Sequence, residues 1–161
     1  MKQILKYITF VVVCAFSISA LAEKTKVPDF KLPAINGEVT PAQFKGKVVY
    51  VDFWASWCKP CKKSFPWLNQ LQEKFKDQGL VILAINLDKE KHLADKFLEE
   101  VPANFIVAFD QAGDTATSFK LKGMPSSFLI DRAGYVVGKH TGFREKDIAN
   151  LEQSVARLLQ Q

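Results

Sequence analysis

The amino-acid sequence predicts one α/β domain with a central sheet covered by helices on both faces. Short apolar runs rich in β-branched residues, Val48–Val51, Val81–Ile85 and Phe105–Phe109, alternate with stretches of helical spacing, the order that stacks helices over a sheet. Two further runs near the C-terminus flank a tight turn, so the sheet is mixed and part of it antiparallel. The 161 residues are 48% hydrophobic and 24% charged, which suits one core, and the chain has no internal repeat or low-complexity segment.

Residues Met1–Ala22 read as a secretory signal peptide. Lys2 and Lys6 form a basic start, Ile8–Ile18 is almost entirely apolar, and Ala20-Leu21-Ala22 is a small-x-small cleavage site. The apolar stretch is shorter than the ~20 residues that span a bilayer comfortably; an uncleaved membrane anchor is the alternative. Cys14 lies inside this segment, after Val13, which is not the small residue expected before a lipidated cysteine, so Cys14 is expected to leave with the signal. The domain then covers residues 23–161 and keeps two cysteines, Cys58 and Cys61, a usage that suits an oxidising compartment. The formal charge falls from +5 to +3 when Lys2 and Lys6 are removed. The remaining lysines are scattered among acids, a solvated surface and not a nucleic-acid site.

Along the domain, Glu23–Gly46 holds Pro28, Pro33, Gly37 and Pro41 and reads as an N-terminal arm or hairpin, with Asn36-Gly37 as its turn. Lys47–Phe53 is a strand with the character of a buried parallel one. A helix follows from Cys58 to about Gln78, with Phe65, Leu68, Leu71 and Phe75 on its apolar stripe. Pro66 is expected to kink this helix, and Gly79 to end it. Leu80–Leu87 is a strand, Lys89–Glu100 a helix, Phe105–Phe109 a strand and Gly113–Lys120 a short helix. Ser127–Ile130 and Tyr135–Lys139 are strands joined by Asp131-Arg132-Ala133-Gly134, and Glu145–Leu159 is a terminal helix with Ile148, Leu151, Val155 and Leu158 on one face.

The chemistry concentrates in Val51-Asp52-Phe53-Trp54-Ala55-Ser56-Trp57-Cys58-Lys59-Pro60-Cys61. An apolar strand leads into a C-x-x-C pair that opens a helix. Cys58 then sits where unpaired backbone N–H groups and the helix dipole favour an anion, and the thiolate is the reactive form of cysteine. Such settings lower a thiol from ~8.5 into a range of about 3.5–7.5, and Lys59 adds positive charge beside it. Cys61, one turn on, can close a disulfide with Cys58. A zinc site needs two more ligands, and His92 and His140 lack ligand spacing. A purely structural bridge across so short a loop adds little stability. Dithiol–disulfide redox chemistry is the favoured reading.

These residues resemble the thioredoxin-like superfamily, and the resemblance runs through essentially all of residues 23–161. The Val51–Cys61 stretch matches its dithiol motif, Gly123-Met124-Pro125-Ser126 falls at its cis-proline loop, and Thr141-Gly142-Phe143 at its short substrate-contacting loop. The signal, the arm, the longer Lys89–Glu100 region, Phe109-Asp110 and Ser127-Phe128-Leu129-Ile130-Asp131 look like the TlpA/ResA/CcmG branch of exported thiol–disulfide oxidoreductases. The resemblance implies a thioredoxin fold, Cys58 as nucleophile and more exposed thiol, and Cys61 as buried resolving thiol. It implies a cis Pro125, with the Met124 backbone offered to an extended substrate. Trp57, Lys59, Pro60, Met124 and Phe143 would line the substrate rim, although Trp57, Met124 and Phe143 also suit the core, while Trp54 packs inside. Two positions depart from the branch: Ser64 stands where it usually carries Glu, and Asp52 where it often carries Asn. Asp52 lies within a run that should be buried, and burial raises a carboxyl so that it exchanges protons near neutrality. Asp52 is therefore the expected proton acceptor for Cys61. His92 and His140 are read as structural or solvent-facing.

The implied activity is an exported protein-disulfide reductase serving cytochrome c maturation or related periplasmic thiol reduction. It would be soluble after signal cleavage and monomeric, with no cofactor beyond the Cys58–Cys61 disulfide and no bound metal. Its partners would be disulfide-containing proteins and, as electron donor, a membrane thiol reductase of the DsbD or CcdA kind. A disulfide-forming oxidant is a second enzymatic reading, although the chain has no room for the large helical insertion of the DsbA type. The peroxiredoxin motif Pro-x-x-x-Thr-x-x-Cys is absent. A Cu(I) or Zn thiol carrier for metalloprotein assembly is the alternative from a different class.

Overall fold

The structure is a computed structural model that describes residues 25–161; the signal segment Met1–Ala22 and Cys14 lie outside the described residues. Eight strands form one sheet: β1 Thr25–Lys26, β2 Leu32–Ala34, β3 Gly37–Val39, β4 Val48–Trp54, β5 Leu80–Asn86, β6 Ile106–Phe109, β7 Ser126–Ile130 and β8 Tyr135–Thr141. Four helices accompany them: α1 Lys59–Phe75, α2 Lys91–Glu100, α3 Asp114–Ser118 and α4 Ile148–Leu159. The strand order is β1-β8-β7-β4-β5-β6-β2-β3. β4, β5 and β6 run parallel, and β7 turns antiparallel against β4, as does β8 against β7.

All seven residues of β4 are buried, which is why its sequence is a continuous apolar run broken only by Asp52. Side chains alternate across the strand. Val48, Tyr50 and Trp54 pack with residues of α1, α2 and α4. Val49, Val51 and Phe53 face the other way, toward Phe119, Phe128, Ala116 of α3 and the N-terminal arm. This alternation places Asp52 on the face that α1 covers.

The arm contributes more than the expected hairpin. Its β2–β3 hairpin turns at Ile35-Asn36, one residue before the expected Asn36-Gly37, because Gly37, at φ 103°, already pairs with Ala34 as the first residue of β3; β2 in turn pairs antiparallel with β6. Its β1 pairs with β8 at the opposite edge. The arm thus covers both sides of the original sheet, where unpaired strand edges would otherwise stand open. A short 3₁₀ turn, Pro41–Phe44, links it to β4. α1 is continuous through Pro66 and gives way to a 3₁₀ turn, Lys76–Gln78. Gly79, at φ 94°, then takes the left-handed conformation that glycine adopts without a Cβ clash. β8 runs past its expected end at Lys139 as far as Thr141, because its last residues still pair with Ser126 and Ser127. A 3₁₀ turn, Glu145–Asp147, precedes α4 and takes up the start of the expected terminal helix.

Candidate active site

The site lies past the carboxyl end of β4, where the chain turns into α1. Cys58 is the N-cap of α1 and Pro60 occupies its first turn, a position that suits proline because that N–H is unpaired in any helix. Cys58 and Cys61 are joined by a disulfide, with Cα atoms 5.3 Å apart. The Cys61 N–H points to Cys58 Sγ at 3.3 Å, so a helix-terminal donor faces the sulfur where a thiolate would develop. The expected contrast in exposure is small in this oxidised form: Cys58 is 4% and Cys61 0% exposed. Bonded to Cys61, Cys58 Sγ is held back over the first turn of α1 and does not project outward.

Trp57, immediately before the dithiol, is 67% exposed and Lys59 beside it is also exposed. Trp54 is fully buried and meets Phe65 and Phe97 at 4.9 and 4.6 Å between ring centroids. Met124 and Phe143 both pack against the cluster that holds Cys58 and Cys61, and the Met124–Pro125 peptide is cis. Phe143 is fixed by Trp67 at 5.6 Å. The predicted rim residues Trp57, Met124 and Phe143 thus divide into one free ring and two half-buried side chains. His92 is exposed beside Glu90, while His140 is half-buried, with Nε2 3.6 Å from Asp147 Oδ2.

Asp52 is 3% exposed, and its Oδ2 is buried without a hydrogen-bond partner. Loss of water around the carboxylate pushes Asp52 up to about 8, because burial penalises the charged form. Ser64, where the resembled branch carries Glu, is buried and donates its hydroxyl to the Cys61 carbonyl at 3.0 Å. On α1 the acidic residue is Glu73, far along the helix, and the buried carboxyl on the sheet face that α1 covers is Asp52 of β4.

A second carboxylate escaped the sequence reading. Asp88, 2% exposed, accepts hydrogen bonds from the Ser56 N–H at 2.8 Å, the Ser56 hydroxyl at 2.9 Å and Asn86 Nδ2 at 2.8 Å. It fixes the turn between β4 and Cys58 from the end of β5. The signal in the sequence is Asn86-Leu87-Asp88 directly after an apolar strand, but only the pairing of β4 with β5 brings it to Ser56.

A family profile described as Redoxin matches residues 22–155. The chain belongs to the Redoxin family. The thiol-disulfide oxidoreductase ResA of Bacillus subtilis strain 168 is 34% identical over 124 residues, covering 76% of this chain and 69% of the relative. ResA of Geobacillus kaustophilus is 34% identical over 130 residues, covering 80% and 75%. A Chlorobium tepidum structure assigned as a thiol:disulfide interchange protein DsbE has 51% identity and a TM-score of 0.83, covering 84% of this chain and 96% of its own. This Redoxin-family chain therefore has the thioredoxin fold of the TlpA/ResA/CcmG type and is a thiol–disulfide oxidoreductase. Among the described residues, no helix is long and apolar enough to cross a membrane.

Proposed function

We propose that this oxidoreductase works as an exported reductase of protein disulfides, with Cys58 as nucleophile, Cys61 as resolving thiol and Asp52 as proton acceptor. The observation that carries this reading is the unpartnered Asp52 carboxyl on the sheet face that α1 and its Cys61 cover. In the reduced protein the Cys58 thiolate attacks one sulfur of a substrate disulfide. That S–S bond breaks, one substrate thiolate leaves and takes a proton from water, and a mixed disulfide remains on Cys58. Cys61 then gives its proton to Asp52, and the new thiolate attacks Cys58 Sγ. The mixed disulfide breaks, the second substrate thiol departs, and the Cys58–Cys61 disulfide is restored. A carboxyl near 8 is well matched to a thiol near ~8.5, the condition for efficient general-base transfer.

Trp57 offers a flat apolar surface beside the dithiol, and the Met124 backbone ahead of β7 offers strand-like pairing to an extended substrate. In this reading Met124, Pro125 and Phe143 would meet the substrate on one side of the dithiol, and Trp57, Lys59 and Pro60 on the other. The secretory segment supports an exported, periplasmic setting, and the relative described as a thiol:disulfide interchange protein supports exchange with protein disulfides; those of cytochrome c maturation are the substrates in this reading. A membrane thiol reductase of the DsbD or CcdA kind would return the electrons. The reduction potential of the Cys58–Cys61 couple tests the direction. A value toward that of thioredoxin, about −270 mV, supports reductase; one toward that of DsbA, about −120 mV, overturns it.

A further inference from the structure

We propose that Ser127 and His140 form a proton outlet that links Asp52 to solvent across three adjacent strands. The inference rests on the assignment of Asp52 as proton acceptor for Cys61. In the sheet register Asp52 on β4 stands opposite Ser127 on β7, and Ser127 stands opposite His140 on β8. Residues directly opposite on antiparallel strands project to the same face with Cβ atoms about 4.5–5.5 Å apart. The three side chains therefore form one row on the face covered by α1 and α4. The row ends at Asp147, just ahead of α4, whose Oδ2 is 3.6 Å from His140 Nε2. Exposure rises along it: Asp52 is 3% and Ser127 5% exposed, and the His140 side chain 24%.

The hydrogen-bonding capacity of Ser127 suits a relay. A serine hydroxyl has one proton to donate and two lone pairs to accept with. The Tyr50 phenol donates to Ser127 Oγ at 2.8 Å. Burial first, and the Asp52 charge second, hold that phenol well above its ordinary range, so it stays a donor and does not compete for the proton. One lone pair and one proton remain on Ser127, which is what passing a proton requires. His140 Nε2 is buried without a hydrogen-bond partner. On the other side of Asp52, β5 presents Ala84, which carries no proton. The titratable and charged groups around the row are Tyr50 on β4, Cys61 on α1, and Arg144 and Asp147 before α4. Arg144 Nε donates to Asp147 Oδ2 at 2.6 Å and holds that carboxyl below its usual range.

Held up at about 8, the Asp52 carboxyl is mostly protonated near neutral pH and must first be ionised before it can accept the Cys61 proton, and the row is its route of exchange with water. The Asp52 carboxyl donates to Ser127 Oγ, the Ser127 hydroxyl donates its own proton to neutral His140, and the imidazolium releases it to water. Side-chain rotation then resets the row with no net change in protonation.

Steady-state reduction of insulin by dithiothreitol, in light and heavy water across about pH 5 to 9, tests this. Ser127→Ala and His140→Gln should each lower kcat by about fivefold to tenfold, below the ~10²–10⁴ of a direct acid–base group, with KM unchanged and a larger solvent isotope effect. Ser127→Thr, which keeps a hydroxyl, should recover the rate, and free imidazole should rescue His140→Gln. Wild-type kcat and isotope effect in both variants, with Asp52→Asn slow, overturn the outlet alone. Equal losses in Ser127→Ala and Ser127→Thr also overturn it. A wild-type rate in Asp52→Asn removes the base assignment itself, and the outlet with it.

Discussion

Beneath α3 and the arm, Phe53, Phe119 and Phe128 meet edge-on with centroids 5.2, 5.8 and 4.9 Å apart, and Phe30 joins at 6.5 Å. On the opposite face, beneath α1, α2 and α4, lie Asp52 Oδ2, Trp54 Nε1, Trp67 Nε1 and His140 Nε2, all buried and unpaired. The buried aspartates sharpen the contrast. Asp110 accepts from the N–H groups of Gly113 and Ala116, and Asp88 from Ser56 and Asn86. Asp52 alone of the three lies mid-strand, where its neighbours' N–H groups are already committed to the ladder. Leaving a buried polar group unpaired costs about 1–3 kcal/mol. Both faces are packed with edge-on aromatic rings, but the unsatisfied buried atoms among the described residues lie on the face where the proposed proton transfer would run.

The largest effect separates the two cysteines. Cys58→Ser should abolish insulin reduction, while Cys61→Ser should accumulate mixed disulfides visible on non-reducing gels. Faster iodoacetamide labelling of Cys61 than of Cys58 in the reduced protein would reverse their roles.

Asp52→Asn should slow the resolving step by about 10²-fold or more, leaving the first attack by Cys58 nearly unchanged in stopped-flow traces. It should also change stability in the opposite sense. Asp52 is raised from 3.8 to about 8. Between these values the unfolded chain ionises while the folded protein keeps its proton. Its contribution is therefore fully present below about pH 4 and declines until about pH 8. Asp52→Asn should flatten that slope and unfold at higher denaturant concentration than the parent at alkaline pH. A parallel pH dependence in the two proteins would mean that Asp52 is not held protonated.

Phe128→Ala probes the face beneath α3 and the arm. Removing a buried ring costs about 3–5 kcal/mol, so urea unfolding should shift strongly while the pH–rate profile of the surviving native protein keeps its shape. An altered profile would show that the two faces are coupled. The smallest effect belongs to the loop clamp. Ser56→Ala removes one hydroxyl donor from Asp88 and should destabilise by about 1 kcal/mol, with a loss of only a few-fold in turnover. Unchanged stability would mean that the backbone N–H of Ser56 alone holds the turn.

Much of this molecule is written locally in the chain. The Val48–Trp54 run has the composition of a strand buried on both sides, the Cys58-Lys59-Pro60-Cys61 order opens a helix on a cysteine, and Gly79 closes that helix. These depend on the nearest residues, through propensity, capping and side-chain period, so dithiol, helix start and buried Asp52 were all legible. What remained hidden depends on which strands become neighbours. No local pattern says that the arm divides between both edges of the sheet, that Asp88 reaches Ser56 32 residues earlier, or that Tyr50 reaches Ser127 77 residues later. Nor does any local pattern place Asp52, Ser127 and His140 in one row. A one-residue slip in the β4–β7 pairing would turn Ser127 to the other face. The register that prevents it is set by the packing of both apolar faces together, a property of the folded chain and of no single segment.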